Sequence, residues 1–118
     1  MPVEIINGPL IAAGQSLSNG VDCSAGEIVR ITIPQEYTPA NMTFQVSSDG
    51  ALYNDLYDSS GNEVTVVTKP DTGIVILDRA WVRSIKFLKF RSGTRAHPVA
   101  QKVGCLFAIA IETPEAAP

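Results

Sequence analysis

The chain has 118 residues, a formal net charge of −3 and a calculated isoelectric point of about 5.0. At that length one domain buries about two thirds of its unfolded surface, enough for a single core without covalent staples. Apolar residues at 45% and charged residues at 18% exclude a disordered chain, and no apolar run reaches the ~18 residues of a membrane helix. The start, Met1-Pro2-Val3-Glu4, shows neither the basic flank nor the apolar core of a signal peptide. Membrane, secretory, collagenous and disulfide-scaffold classes are therefore not expected.

In chain order the dominant period is two. Val3 to Ile6 and Leu10 to Leu17 read as strands broken by Asn7-Gly8-Pro9. Val21 to Gly26 is a polar turn that holds Cys23. Glu27 to Ile33 places Val29, Ile31 and Ile33 on one face, with Arg30 and Thr32 on the other. Pro34 to Tyr37 has the form of one helical turn opened by proline. Thr43 to Ser47 alternates, with Phe44 and Val46 inward, and Leu52 to Tyr57 follows the Asp49-Gly50 turn, so the pair reads as a hairpin.

Further along, Asp58 to Asn62 and Lys69 to Gly73 are turns on either side of a strand from Glu63 to Val67. Gly73 to Leu77 is a short continuous apolar strand, expected to be covered on both faces. Asp78 is placed to cap one helical turn through Val82. Between Ser84 and Arg91 the alternation slips phase, which predicts a bulge or burial on both sides. Cys105 to Ile111 turns Cys105, Phe107, Ile109 and Ile111 to one face. The opposite Ala108 and Ala110 are small, as if something packs closely there. Thr113 to Pro118 reads as a loose tail. Many short strands between Gly, Pro and Asx turns predict an all-β, jelly-roll-like antiparallel sandwich of about eight strands, in one domain spanning residues 1–118.

Charge is unevenly placed. Arg79, Arg83, Lys86, Lys89, Arg91, Arg95 and Lys102 lie in a stretch without carboxylates, while ten of the twelve acidic residues precede or include Asp78. Mutual neutralisation across neighbouring strands is the simpler expectation. The sharper one is that these seven basic residues form an interface with acidic loops around positions 49–63 of an adjacent subunit. An acidic chain is not a generic nucleic-acid binder. Trp81, Phe87 and Phe90 among the basic residues suit stacking on bases, but their alternation points them into the core instead.

Catalytic signatures do not emerge. His97 is the one histidine and sits in a loop before Pro98, without further ligands at zinc spacing. No serine occupies a Gly-x-Ser-x-Gly elbow, and the glycines form no phosphate loop. Asp49, Asp55 and Asp58, with Asn54 and Glu63 near, are oxygen donors of the kind calcium takes, but their spacing is not an EF-hand; ordinary turn carboxylates explain them first. Tyr37, Tyr53 and Tyr57 suit a sugar-binding surface, though an all-β domain holds tyrosines without one. Cys23 and Cys105 make no disulfide framework and are expected as free thiols. No enzyme activity, cofactor, nucleic acid or membrane is expected.

Pro34 to Gly50, Tyr53-Asn54-Asp55-Leu56-Tyr57, and Ile85 to Thr94 together resemble small virion structural proteins of tailed phages, prophages and gene transfer agents. Head-spike base and head-decoration proteins are the nearest in kind. The resemblance spans about residues 10 to 112 and rests on strand and turn chemistry. It implies a jelly-roll sandwich that assembles symmetrically on a capsid or tail, as a homo-oligomer among other virion proteins, in the bacterial cytoplasm. It carries over no catalytic residue. The same sandwich serves carbohydrate-binding and discoidin-like modules, so glycan binding is the alternative.

Overall fold

The computed structural model describes residues 2–114. Its strands are β1 (Val3–Ile11), β2 (Val21–Asp22), β3 (Glu27–Ile33), β4 (Met42–Ser47), β5 (Asn54–Asp55), β6 (Thr72–Val75), β7 (Phe87–Ser92) and β8 (Cys105–Glu112), with a single helical turn, α1 (Arg79–Val82). They form two four-stranded antiparallel sheets. Sheet one has the order β1-β8-β3-β6 and sheet two the order β2-β7-β4-β5. Every connection crosses between the sheets except the β4–β5 hairpin.

The core is the space between the sheets. Cys105, Phe107, Ile109 and Ile111 of β8 are all buried, as their alternation requires. They face Phe44 of β4 and Leu88 and Phe90 of β7. An aromatic series ties the layers together: Tyr37 meets Phe107 edge-on at 5.7 Å, Phe107 meets Phe90 at 5.2 Å, Phe90 meets Phe44 at 5.6 Å and Phe44 meets Trp81 at 4.8 Å. Edge-to-face contacts of this kind add to area burial because ring edges are positive and ring faces negative.

Several local expectations change in three dimensions. In β3 the inward residue is Ile28 rather than Val29, because the register with β8 shifts between Ile28 and Arg30 and reverses the phase there. The N-terminal region is one strand, not two. Its register with β8 shifts between Asn7 and Leu10, so the Gly8-Pro9 step is absorbed within the strand, and Leu17 keeps only a bridge to Arg91. Gly73 to Leu77 is not covered on both faces: β6 is an edge strand, and Val75 and Leu77 are exposed. Pro34 to Tyr37 is a turn closed by Tyr37 N–H donating to Pro34 O at 3.3 Å, not a helix. Residues 63–67 contribute bridges, Tyr57 with Glu63 and Met42 with Val66, in place of a strand. β7 pairs with β4 without any register shift: Leu88 and Phe90 turn to the core and Phe87, Lys89 and Arg91 to the other side, while Ile85, buried ahead of the strand, lies outside that alternation.

Other local expectations hold. Asp78 caps α1 by accepting from Ala80 N–H at 3.0 Å. Both cysteines are buried free thiols. Burial, and secondarily Asp22, pushes the Cys23 thiol up to about 12, and burial also raises Cys105, with Glu36 contributing. The tail expected loose from Thr113 instead begins held, for Thr113 is buried and donates its N–H to Pro2 O at 2.9 Å; residues 115–118 lie outside the described residues.

Candidate functional site

The outer surfaces of the two sheets are built from different chemistry. On sheet two the outward side chains of β4 and β7 are polar and find partners within the chain, except Phe87, whose ring lies beneath Lys86. Arg91, 8% exposed at its side chain, lies against Asp55 at 2.5 Å and Glu63 at 3.2 Å, and its Nε donates to Thr43 Oγ1 at 3.2 Å. Arg95 adds a contact to Asp55 at 3.4 Å, and its backbone N–H donates to Glu63. The loop carrying Glu63 is thereby folded down over the sheet. Among the described residues no buried side-chain nitrogen or oxygen lacks a partner.

Sheet one is the reverse. Its register sets Ile5 beside Ala110, Ala110 beside Arg30, and Arg30 beside Val75. The next row is Asn7, Ala108, Thr32 and Gly73, followed by Leu10 beside Leu106. Val3, Ile5, Leu10 and Leu106 are between 45% and 55% exposed and Val75 is 65% exposed. An alternating half-buried sheet normally presents polar residues on this side. Here exposed apolar side chains of β1, β8 and β6 face solvent, with Asn7, Arg30 and Thr32 among them and small residues at the centre. Gly73 is small for a local reason: a Cβ there would lie 3.2 Å from the Arg30 side chain.

A third feature is a cleft of about 550 Å³ between the 56–65 segment and α1. Trp81 and Leu56 form part of its wall, Tyr57 is 43% exposed beside it, and Asp58 and Asp78 contribute carboxylates.

The residues singled out by sequence are dispersed among these features. Arg79 and Arg83 pair with Glu27 at 2.6 and 3.1 Å. Arg91 and Arg95 belong to the sheet-two network. Lys86 lies over the Phe87 ring at 5.4 Å and Lys89 over Tyr53 at 4.4 Å. Lys102 is exposed. Four of the seven thus join carboxylates from the earlier, acidic part of the chain, which is the neutralisation the charge asymmetry predicts. Arg91 in particular is too deeply buried to meet a partner.

The calcium candidates are not gathered. Asp49 closes its own turn, accepting from Ala51 N–H at 2.9 Å and Leu52 N–H at 3.0 Å, and these bonds, with Ser47, hold its carboxyl down at about 2. Asp58 accepts from Ser60 and Asn62 N–H, and Asp55 faces the arginines. Among the described residues no three His, Cys, Asp or Glu are grouped as metal ligands. The tyrosines separate too: Tyr37 is buried, with its hydroxyl pushed up to about 12 mainly by burial, and one face of Tyr53 is taken by Lys89. His97 is exposed in its loop, where its backbone N–H donates to Thr94 Oγ1 at 3.1 Å. Trp81 and Phe90 are core residues, unavailable for base stacking, but Phe87 does not point into the core: it shares the outward side of β7 with Lys89 and Arg91, and Lys86 lies over its ring.

The apolar face was not among the sequence candidates. Its signal was present in Val3 and Ile5, and in Leu106 falling opposite the inward residues of the last strand. No protein-family model matches the chain, and no curated protein or solved structure is significantly similar to it.

Proposed function

We propose that the chain is a non-enzymatic structural subunit of a phage or phage-like particle, a head-spike base, decoration or tail-associated protein that acts through symmetric protein–protein contacts. The observation that carries this reading is the exposed apolar face of sheet one, formed by Val3, Ile5, Leu10 and Leu106. Exposed apolar side chains gathered on one sheet face are characteristic of interaction sites. The strand orders support jelly-roll winding, since they interleave the two halves of the chain across both sheets. Assembly with other virion proteins in the bacterial cytoplasm belongs to the same reading and rests on the sequence resemblance.

The test is the mass in solution by size-exclusion chromatography with light scattering, at low and high salt. A discrete oligomer whose mass survives salt is expected, because burial of apolar surface is not screened. Dissociation in salt would shift the contact to the basic segment from Arg79 to Lys102. A monomer at high concentration overturns self-assembly.

The cleft beside Tyr57 favours a second reading, a carbohydrate-binding module. A half-exposed aromatic ring with carboxylates and the hydroxyls of Thr65 and Ser84 nearby suits a sugar's apolar face and hydroxyl rim. A glycan array, run with and without calcium, tests it. Binding lost in Tyr57→Ala would support it, and no binding to any glycan would remove it.

A further inference from the structure

The two sheets have four edge strands. β2 and β5 have two residues each, and β6 has four. β6 is also entered through Lys69-Pro70 and through Asp71 at a φ of 60°, which interrupt a regular edge. The fourth, β1, has nine residues; its first half carries no lysine or proline and one charge, Glu4, and Val3, Glu4, Ile5 and Asn7 are exposed among the described residues.

The hydrogen-bonding direction of that half is fixed by its neighbours. Thr113 N–H donates to Pro2 O, so positions 2 and 113 are a bonded pair. Antiparallel ladders alternate. Glu4 and Ile6 therefore bond to β8, while the N–H and C=O groups of Val3, Ile5 and Asn7 point away from it. Leu10 gives an independent check. Its side chain is on the same outer face, and its outward groups are already taken: Leu10 N–H donates to Asn19 Oδ1 at 2.8 Å and Asn19 N–H donates to Leu10 O at 3.2 Å. Among the described residues the unpaired edge thus runs from Val3 to Asn7 and stops at the Gly8-Pro9 irregularity.

We propose that a second copy of this chain pairs with this edge, strand to strand and antiparallel, across a two-fold axis at Ile5. The two apolar outer faces then become continuous along one sheet. This deepens the building-block reading and rests on it for self-association itself. The register follows from the residues. An axis at Glu4 would set that carboxylate directly opposite its counterpart, which is unfavourable. An axis at Ile6 would pair Val3 with the second copy's Pro9, which has no N–H to give. An axis at Ile5 sets Val3 against the second copy's Asn7 and Glu4 against its Ile6, with every outward N–H of Val3, Ile5 and Asn7 supplied with an acceptor. A two-fold contact closes on itself, so the product is a dimer and not a fibre.

Cysteine pairs test the register. Bonded antiparallel partners have Cα atoms about 5.5 Å apart, within disulfide reach. Val3 and its counterpart would be about 15 Å apart, four residues along at ~3.4 Å each and about 5.5 Å across. The native Cys23 and Cys105 are buried and stay out of the reaction. In a glutathione redox buffer, Val3→Cys mixed with Asn7→Cys is expected to give a disulfide-linked dimer, as is Ile5→Cys alone. Val3→Cys alone is expected to give none. No cross-link in the mixture, or an equal one in Val3→Cys alone, overturns the pairing. Ile5→Pro is the companion variant, because the Ile5 N–H makes no bond to another described residue. With circular dichroism unchanged, its mass should fall to half that of the wild-type dimer. A wild-type oligomer whose mass Ile5→Pro leaves untouched overturns the β1 contact but not the subunit reading. A wild-type monomer at high concentration overturns both.

Discussion

The outer faces of the two sheets solve the same problem in opposite ways. Both belong to antiparallel sheets with one side on a common core, and each must do something with its other side. Sheet two folds its own loop back, and Arg91, Asp55, Glu63 and Thr43 satisfy one another. Sheet one leaves Val3, Ile5, Leu10, Leu106 and Val75 in solvent and half of the β1 edge unpaired. The difference separates internal stability from contact. A face that satisfies its charges internally stabilises the fold and offers little to a partner. A face with unsatisfied apolar area and free backbone groups adds little to the monomer and has much to gain from association.

The largest expected effect concerns the layer between these faces. Cys23 and Tyr37 are both neutral in the folded chain and held there, each to about 12. Unfolded, they ionise near their ordinary values of 9.0 and 10.0. Their contribution is fully present below pH 9 and is lost as pH rises toward 12. Stability should fall by about 1.4 kcal/mol per pH unit for each group while it is in its window. Urea midpoints between pH 8 and 11 measure this. A flat profile would show that neither group is buried.

Arg91→Ala comes next. It strands two partly buried carboxylates, and a loss of about 3 kcal/mol is expected. Chemical denaturation checks it, and a loss below about 1 kcal/mol would mean that the sheet-two network is no more than a surface pair. By contrast, Arg79→Ala and Arg83→Ala remove ion pairs with Glu27 from the exposed side of α1, with arginine side chains 51% and 65% exposed. About 0.5 kcal/mol each is expected, vanishing at high salt.

The smallest effect on folding is expected on sheet one, and it sharpens the contrast most. Ile5→Ser, at the β1 edge and half exposed, should change the unfolding midpoint by less than about 0.5 kcal/mol while lowering self-association seen by light scattering. A large loss of stability there would mean that the apolar face is already used within the chain.

Legibility from sequence follows the range of the interactions. Strict alternation in Cys105 to Ile111 and in Thr43 to Ser47 exposed the core positions and the all-β class, because a period of two decides the inward side wherever one face is buried. The Asp78 cap and the Asp49-Gly50 hairpin were legible because both are made within a few residues. The interruption at Asn7-Gly8-Pro9 was read as the end of a strand. It is instead a register shift within β1, since the partner β8 continues past it. Val29 lost its place to Ile28 for the same reason, a bulge set by the neighbouring strand.

The sequence by itself determined that this chain is a two-faced β-sheet protein with one core, acidic early and basic late. Periodicity and turn chemistry are local and need no knowledge of neighbours. Tertiary structure decided which strands became edges, which carboxylate met which arginine, and that the apolar residues of Val3, Ile5 and Leu106 share one uncovered face. Those outcomes depend on strand order and register, which join residues more than a hundred positions apart, as Val3 and Glu112, and leave no mark on any one segment. Asp55 could have been a calcium ligand until the fold brought Arg91 to it. The first half of β1 could have been an inner strand until β8 paired with it on one side only.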